Sequence, residues 1–204
     1  MNRKEEDYMQ DLREIRSIME RSTKFLSLSG ISGVLAGFYA LAGAYIAFGI
    51  FDDQEAIVPG IPSGEQVWDL LLIGLVVLIL AISTAVVLSV NKGKKKGQKV
   101  WNSAARRMLV NMMVPLIAGG LLTLVFLVKG LIMLMAPVTL IFYGIALYNA
   151  SKFTYEDVKY LGFIQIALGL LGAYFTEYSL LFWAIGFGVV HIIYGIYVNY
   201  KYER

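Results

Sequence analysis

The chain lacks cysteine, has a single histidine and carries few charges for its length. Of its 204 residues none is Cys, and 16% are charged against 58% hydrophobic. Without cysteine the chain has no disulfide and no thiolate for nucleophilic catalysis or metal binding. A water-soluble domain normally has about 25% charged residues, so this composition is too apolar for one. The sequence is typical of an integral membrane protein.

Six long apolar runs make up most of the chain. Most of them reach the ~20 residues that a helix needs to cross ~30 Å of hydrocarbon. The links after the third and fifth runs are so short that they allow only antiparallel hairpins. We therefore predict an all-α integral membrane protein with six transmembrane helices as three antiparallel hairpins, which form one domain at residues 25–204. The predicted helices are 25–51, 67–90, 106–128, 131–150, 155–175 and 179–200.

Two helix starts carry capping signals. Ser63 with Gln66 has the spacing of a capping box for helix 2. Thr154 with Asp157 has a looser version of the same pattern. This second cap would start helix 5 at Tyr155 and restore a spanning length to a short apolar run.

Basic residues are distributed asymmetrically along the chain. Of the 18 Lys and Arg residues, all but Lys129 lie in alternate gaps between the runs or at the two termini. Lys and Arg near a span resist translocation, so we predict a multi-pass protein of the plasma (inner) membrane with both termini cytoplasmic. A lysine run in the second gap would attract anionic lipid headgroups. It lacks the spacing of a phosphate-binding loop, and no nucleic acid is expected as a partner. The headgroup candidates are Lys94, Lys95, Lys96 and Lys99.

The first 24 residues form a charged head that we predict to be a cytoplasmic amphipathic helix. Tyr8, Leu12, Ile15 and Met19 recur at helical spacing and give one apolar stripe. Acidic and basic residues balance in this head, whereas a helix that lies on a membrane surface is usually cationic. We therefore expect the stripe to pack on protein, either the chain's own inner loops or a partner.

A weak internal repeat links the later hairpins. Ile117-Ala-Gly-Gly-Leu-Leu122 matches 166–171, and Tyr143-Gly-Ile-Ala matches the segment that begins at Tyr194. Helix 1 holds a looser third copy at 35–45, which suggests three two-helix units around a parallel pseudo-threefold axis. Residues 110–200 here resemble the six-helix acid-resistance membrane proteins of enteric bacteria and their uncharacterised relatives. That resemblance implies a role in envelope stress tolerance without a defined reaction, and it does not predict the charged head.

Helix 1 also resembles, over four residues, the Gly-x-Ser-Gly motif of rhomboid intramembrane proteases, with Ser32 as nucleophile and His191 as its partner. The chain supplies neither the oxyanion donors nor the first-loop Trp-Arg pair that such enzymes carry. We favour helix packing, because small residues spaced four apart let another backbone approach closely. The partner helix lies either within the chain or in a second subunit of a homo-oligomer. The predicted packing residues are Ser29, Gly33, Gly37, Ala36, Ala40 and Ala44, with Gly188 and Gly195 on helix 6.

His191 is the only ionisable side chain deep within a run. Helical spacing puts it on one face of helix 6 with Ala184, Gly188, Gly195 and Asn199. Our preferred interpretation is a neutral imidazole bonded to a carbonyl or hydroxyl of a neighbouring helix. The other interpretation is a ligand or proton site, although no run contains an Asp, Glu, Lys or Arg to complete a proton relay.

The sequence as a whole predicts a protein without enzymatic activity, cofactor or metal. We expect it to act through another protein or through membrane lipids. The alternative is a small-solute channel or transporter with a polar crevice. The crevice would be lined by Pro115, Pro137, Asn111 and the helix 6 face that holds His191 and Asn199. A rhomboid-like protease is a more distant third.

Overall fold

The computed structural model describes residues 24–52, 64–95 and 101–203, and within these ranges the chain is helical with no strand. Most of the predicted head and the Ser63 cap lie outside the described residues. The long helices are α1 (Gly30–Asp52), α2 (Gly64–Lys95), α3 (Ser103–Val128), α4 (Met135–Ala150), α5 (Val158–Tyr174) and α6 (residues 179–202). Short 3₁₀ turns at Ile132–Leu134, Ser151–Phe153 and Thr176–Tyr178 join the last four.

Five helical stretches are long and apolar enough to cross a membrane, as judged by length and composition. The helix α5 is apolar but has only 17 residues. The fold is therefore a bundle of long apolar helices, compatible with a membrane. The five stretches are Gly30–Ile50, Gln66–Lys95, Ser103–Val128, Ile132–Phe153 and Thr176–Tyr202.

The start of helix 1 differs from the sequence prediction. Residues 25–29 have no regular secondary structure, and α1 begins at Gly30 and not at residue 25. We call residues 24–29 the strap. The N–H of Phe25 donates to the Phe153 carbonyl at 2.6 Å, and the Thr154 hydroxyl donates back to the Phe25 carbonyl at 2.7 Å. A backbone away from water must have its polar groups satisfied. Because side chains and backbone of the 153–155 turn satisfy the strap, it does not need to be helical.

The start of helix 5 was also predicted wrongly. α5 begins at Val158, and the Asp157 side chain makes no capping hydrogen bond. Thr154 lies four residues before this start, and its hydroxyl donates to the Phe25 carbonyl of the strap. At α3, by contrast, the Asn102 side chain accepts from the Ala105 N–H at 2.8 Å, which starts the helix at Ser103, three residues earlier than predicted.

The last helix, α6, is not a uniform α-helix. It consists of an α-helical Ser179–Trp183, a π-helical Ala184–Val190 and an α-helical His191–Tyr202. A π-helical segment inside an α-helix is rare and often marks a functional position. The segment ends directly before His191.

Glycines bring α4 and α5 into backbone contact. A Cβ placed on Gly162 would lie 2.7 Å from the Gly144 carbonyl oxygen. One on Gly169 would lie 2.8 Å from the Pro137 carbonyl oxygen and 2.6 Å from Ile141 Cγ1. Real Cβ atoms do not come so close to backbone atoms. Only glycine at these positions allows the two helices to pack at this distance.

The contact between α1 and α6 has the same form. A Cβ on Gly30 would lie 2.5 Å from the Gly195 carbonyl oxygen, and one on Gly37 would lie 2.6 Å from Ile192 Cγ1. Gly33 adds a close approach to Gly195, with 3.3 Å from its added Cβ to the Gly195 Cα.

These two interfaces correspond residue by residue. Gly144 of α4 corresponds to Gly195 of α6, and Ile141 to Ile192. A second constant shift relates α5 to α1, since Gly162 corresponds to Gly30 and Gly169 to Gly37. The weak sequence repeat is thus accompanied by two geometrically equivalent helix pairs.

Candidate functional site

Three polar side chains from α4, α5 and α6 meet within the bundle. The Tyr143 hydroxyl lies 3.0 Å from Nε2 of His191. The carbonyl oxygen of Gly186 lies 2.8 Å from Nδ1 of the same imidazole and 2.8 Å from Nε2 of Gln165. His191 is buried, and Gln165 has no exposed surface. We call Tyr143, Gln165 and His191 the polar cluster.

The hydrogen-bond partners assign the histidine tautomer. The Gly186 carbonyl can only accept, so Nδ1 of His191 carries the proton. In the neutral imidazole Nε2 accepts from the Tyr143 hydroxyl, so that both nitrogens are bonded. The carbonyl also accepts from the Gln165 amide, whose Oε1 has no hydrogen-bond partner among the described residues.

The π-helical segment is explained by this bonding. Gly186 lies within it, and two side chains donate to the Gly186 carbonyl, which interrupts the regular ladder of an α-helix. The space around Gly186 is filled: an added Cβ would lie 2.6 Å from both Gln165 Oε1 and Leu140 Cδ2. The Phe187 ring lies 5.0 Å from that of Tyr143. The polar cluster is therefore a packed layer that holds three helices together.

The other predicted polar residues do not join the cluster. Asn111 is exposed on α3, and its side chain donates to the Arg107 carbonyl of its own helix at 2.8 Å. Asn199 is half-buried further along α6, where its backbone packs over Gly30. The predicted crevice residues are thus spread over separate surfaces.

Ser32 and His191 have different hydrogen-bond partners. The Ser32 hydroxyl donates to the Ser29 carbonyl at 2.6 Å, one turn before it. Since His191 bonds to Tyr143 and Gly186, the structure does not form the Ser-His pair that a protease would need.

The small residues that were predicted to pack lie mostly at interfaces. Gly33, Gly37, Gly188 and Gly195 lie between α1 and α6. Ser29, Ala40 and Ala44 are buried, and Ala36 is half-buried. Of the headgroup candidates, Lys94 and Lys95 are exposed at the end of α2, and Lys96 and Lys99 lie outside the described residues.

A second polar group lies where α1 begins and where α2 and α6 end. Lys92 and Glu203 form an ion pair at 3.0 Å, with only 12% and 14% of their side chains exposed. Lys92 also donates to the Leu28 carbonyl of the strap, and Glu203 accepts from the backbone N–H of Gly30. Lys92 lies 3.5 Å from the Tyr155 hydroxyl. We call Lys92, Tyr155 and Glu203 the clasp.

Tyr155 completes the clasp from the turn before α5. Its hydroxyl donates to the Leu26 carbonyl at 2.7 Å. Burial, and then the negative charge of Glu203, raise the pKa of Tyr155 to about 12, so the phenol keeps its proton and remains a donor. Thr154, Tyr155 and Lys92 thus satisfy three of the strap's carbonyls.

Asp157 anchors the end of α6 beside the clasp. It accepts from Lys201 at 2.7 Å and from the Tyr202 and Tyr197 hydroxyls at 2.7 and 3.1 Å. Burial alone would raise the pKa of Asp157, but the three donors outweigh it and lower the pKa. An exposed ion pair at 3.0 Å joins Lys24 to Glu156.

The sequence did not lead us to predict the members of the polar cluster and the clasp, apart from His191. The missed residues include Tyr143, Gln165, Lys92 and Glu203. Gln165 carried a signal, because it is an amide in the middle of an apolar run. Lys92 and Glu203 carried none, since charges near helix ends also occur where they only set topology.

No protein-family model, curated protein or solved structure matches the chain.

Proposed function

We propose that this protein is a non-enzymatic, multi-pass protein of the plasma membrane that acts through another protein bound at its cytoplasmic head. In this proposal α1 to α6 all span the membrane as three antiparallel hairpins, and the end that carries the clasp faces the cytoplasm. The basic residues at that end favour this orientation. Lys94 and Lys95 would contact anionic headgroups there.

The strap is the observation that carries the proposal. It is the segment through which the head continues into α1, and it is not a free linker. Its carbonyls accept from Thr154, Tyr155 and Lys92, so it is fixed to the turn before α5 and to the end of α2. A force on the head would therefore be transmitted to the helix bundle through these hydrogen bonds.

The test is copurification from native membranes with crosslinking in mild detergent. A stoichiometric protein should be recovered with the full chain and lost with Leu12→Asp combined with Ile15→Asp, which charge the apolar stripe. Gln10→Asp combined with Ser17→Asp adds the same charges to the opposite helix face and should retain the protein. Equal recovery with both double variants would contradict the proposal.

Envelope stress tolerance is the physiological role that the resemblance to acid-resistance proteins favours. A deletion strain should then survive acid challenge less well than its parent. Complementation by the wild-type chain but not by the Leu12→Asp, Ile15→Asp variant would connect that role to the head.

A small-solute channel or transporter is the second candidate. The observation that favours it is the buried Oε1 of Gln165, which has no hydrogen-bond partner among the described residues and could accept from a solute or water. Solute flux in proteoliposomes that is lost in Gln165→Leu and kept in the exposed Leu170→Ala variant would favour this function over protein interaction.

A further inference from the structure

The two equivalent interfaces point to a third position of the same kind on α3. The segment Ile117-Ala-Gly-Gly120 matches Ile166-Ala-Leu-Gly169 on α5. Gly169 is covered by Ile141 of α4, and its counterpart on α1 is covered in the same way by Ile192 of α6. Gly120, in contrast, is exposed and has no atom within 4 Å of an added Cβ among the described residues.

Among the described residues, the face around Gly120 is apolar and exposed. Met113, Ile117 and Leu124 lie one or two helical turns from it, Leu121 follows it directly, and each is between 44% and 60% exposed. Glycine is a poor helix former, and in lipid it contributes where it lets another helix approach. Both equivalent glycines are used in that way.

The chain's own α2 does not cover this face. By the order of the hairpins, α2 corresponds to α4 and α6, the helices that cover the other two faces. However, α2 packs on α1, where Val77 and Ile73 lie over Gly43. Its far end is held by the ion pair between Lys92 and Glu203. The strap lies over the start of α3, since Phe25 packs there with Ala104, Ala105 and Met108.

The opposite side of α2 is exposed in the part of the chain that the structure describes, and we call it the free side. Its side chains are of the kind that cover the other two glycine faces. Leu75, Ile79, Ile82 and Val86 recur at helical spacing and are 52% to 55% exposed. In both established interfaces an isoleucine Cγ1 covers the glycine. The free side of α2 offers two isoleucines for Gly120.

We propose that the α3 face around Gly120 binds α2 of a second copy of this chain, through Ile79 or Ile82. The exchange is reciprocal, because α3 of each copy would receive α2 of the other. It therefore closes as a twofold dimer in which both Gly120 faces are covered. The contact of an isoleucine with a helix glycine is the packing that the chain already uses in its two equivalent interfaces. The proposed dimer does not depend on a protein bound at the head.

The first test is crosslinking between differently tagged copies, which is clean because the chain has no native cysteine. One copy carries Gly120→Cys and the other Ile79→Cys or Ile82→Cys. Mild oxidation of vesicles should link the two tags. Leu170→Cys, at an exposed position on α5, replaces the α2 cysteine in the control and should not crosslink to Gly120→Cys. Equal crosslinking with the control, or none with either α2 cysteine, would overturn the proposal.

The second test is the dimer equilibrium, measured by energy transfer between labelled copies in vesicles. Gly120→Leu should weaken association about tenfold or more, because its side chain holds the helices apart. Gly74→Leu is the matched control, since Gly74 is equally open and lies off the free side of α2, and it should associate as the wild type does. A monomeric wild type, or equal effects of the two variants, would show that lipid or another protein covers this face.

Discussion

Lys92 at the end of α2 and Glu203 after α6 form an ion pair at 3.0 Å, and both side chains are largely shielded from water. Each also binds the segment that leads into α1, Lys92 through the Leu28 carbonyl and Glu203 through the Gly30 N–H. Two residues at distant sequence positions therefore fix where the first helix begins.

Removing one member of this pair should destabilise the protein strongly. Lys92→Met leaves the Glu203 carboxylate shielded and without its ion-pair partner, which costs on the order of 3 kcal/mol. The combined variant Lys92→Met, Glu203→Leu removes both charges and should recover part of that loss. Thermal unfolding in mild detergent measures the difference. Lys94→Met, at an exposed position on the same helix end, is the control, and a loss as large as that of Lys92→Met would refute the role of the ion pair.

The strap should loosen when its donors are removed. Thr154→Val and Tyr155→Phe keep the shape of each side chain but leave the Phe25 and Leu26 carbonyls without their donors. Each change should cost about 1 to 3 kcal/mol and speed hydrogen exchange at the start of α1. Tyr160→Phe changes an exposed tyrosine and should leave exchange unchanged. Unaltered exchange in Tyr155→Phe would show that the strap is held by other contacts.

The positions of the long helices could be predicted from the sequence, because runs of apolar residues show directly which segments are suited to hydrocarbon. The starts of α1 and α5 could not. The hydrogen bond between Thr154 and Phe25 joins residues 129 positions apart, and no local pattern indicates that a threonine with the spacing of a cap will bond elsewhere. The π-helical segment was hidden for a similar reason, since it depends on Gln165 of another helix. His191 was found because a lone imidazole is conspicuous among apolar residues.

The membrane orientation can be tested with introduced cysteines. Cysteines at Gly60 and Thr176 should react in whole cells with a thiol reagent that does not cross membranes, and one at Gly97 should not. The expectation follows from the distribution of basic residues, which are concentrated in the sequence around Gly97. Labelling of Gly97 in intact cells would reverse the proposed orientation. Labelling after the cells are opened is the control for access to that position.

Close packing between α1 and α6 should make glycine substitutions more harmful than loss of a larger side chain. An added Cβ at Gly37 would lie 2.7 Å from the Gly188 carbonyl oxygen, so Gly37→Leu must push the helices apart. Leu35→Ala removes volume from a half-buried position and requires no such movement. We expect Gly37→Leu to lower the unfolding temperature in detergent far more than Leu35→Ala does. Gly49→Leu, at an open glycine of the same helix, should have little effect.

The polar cluster gives the sharpest prediction, because the packing and proton-binding interpretations of His191 diverge there. An amide can donate to the Gly186 carbonyl and accept from the Tyr143 hydroxyl, so His191→Gln should keep most of the stability if the imidazole only bonds helices together. His191→Leu removes both bonds and should cost about 1 kcal/mol or more. Tyr194→Phe removes a buried hydroxyl that has no hydrogen-bond partner among the described residues, and it should change stability little.

If His191 instead titrates in function, His191→Gln should fold normally yet lose any cellular phenotype as completely as His191→Leu. That result would favour the channel over protein interaction. An amide can replace the hydrogen bonds of a neutral, packed imidazole, but it cannot take up a proton.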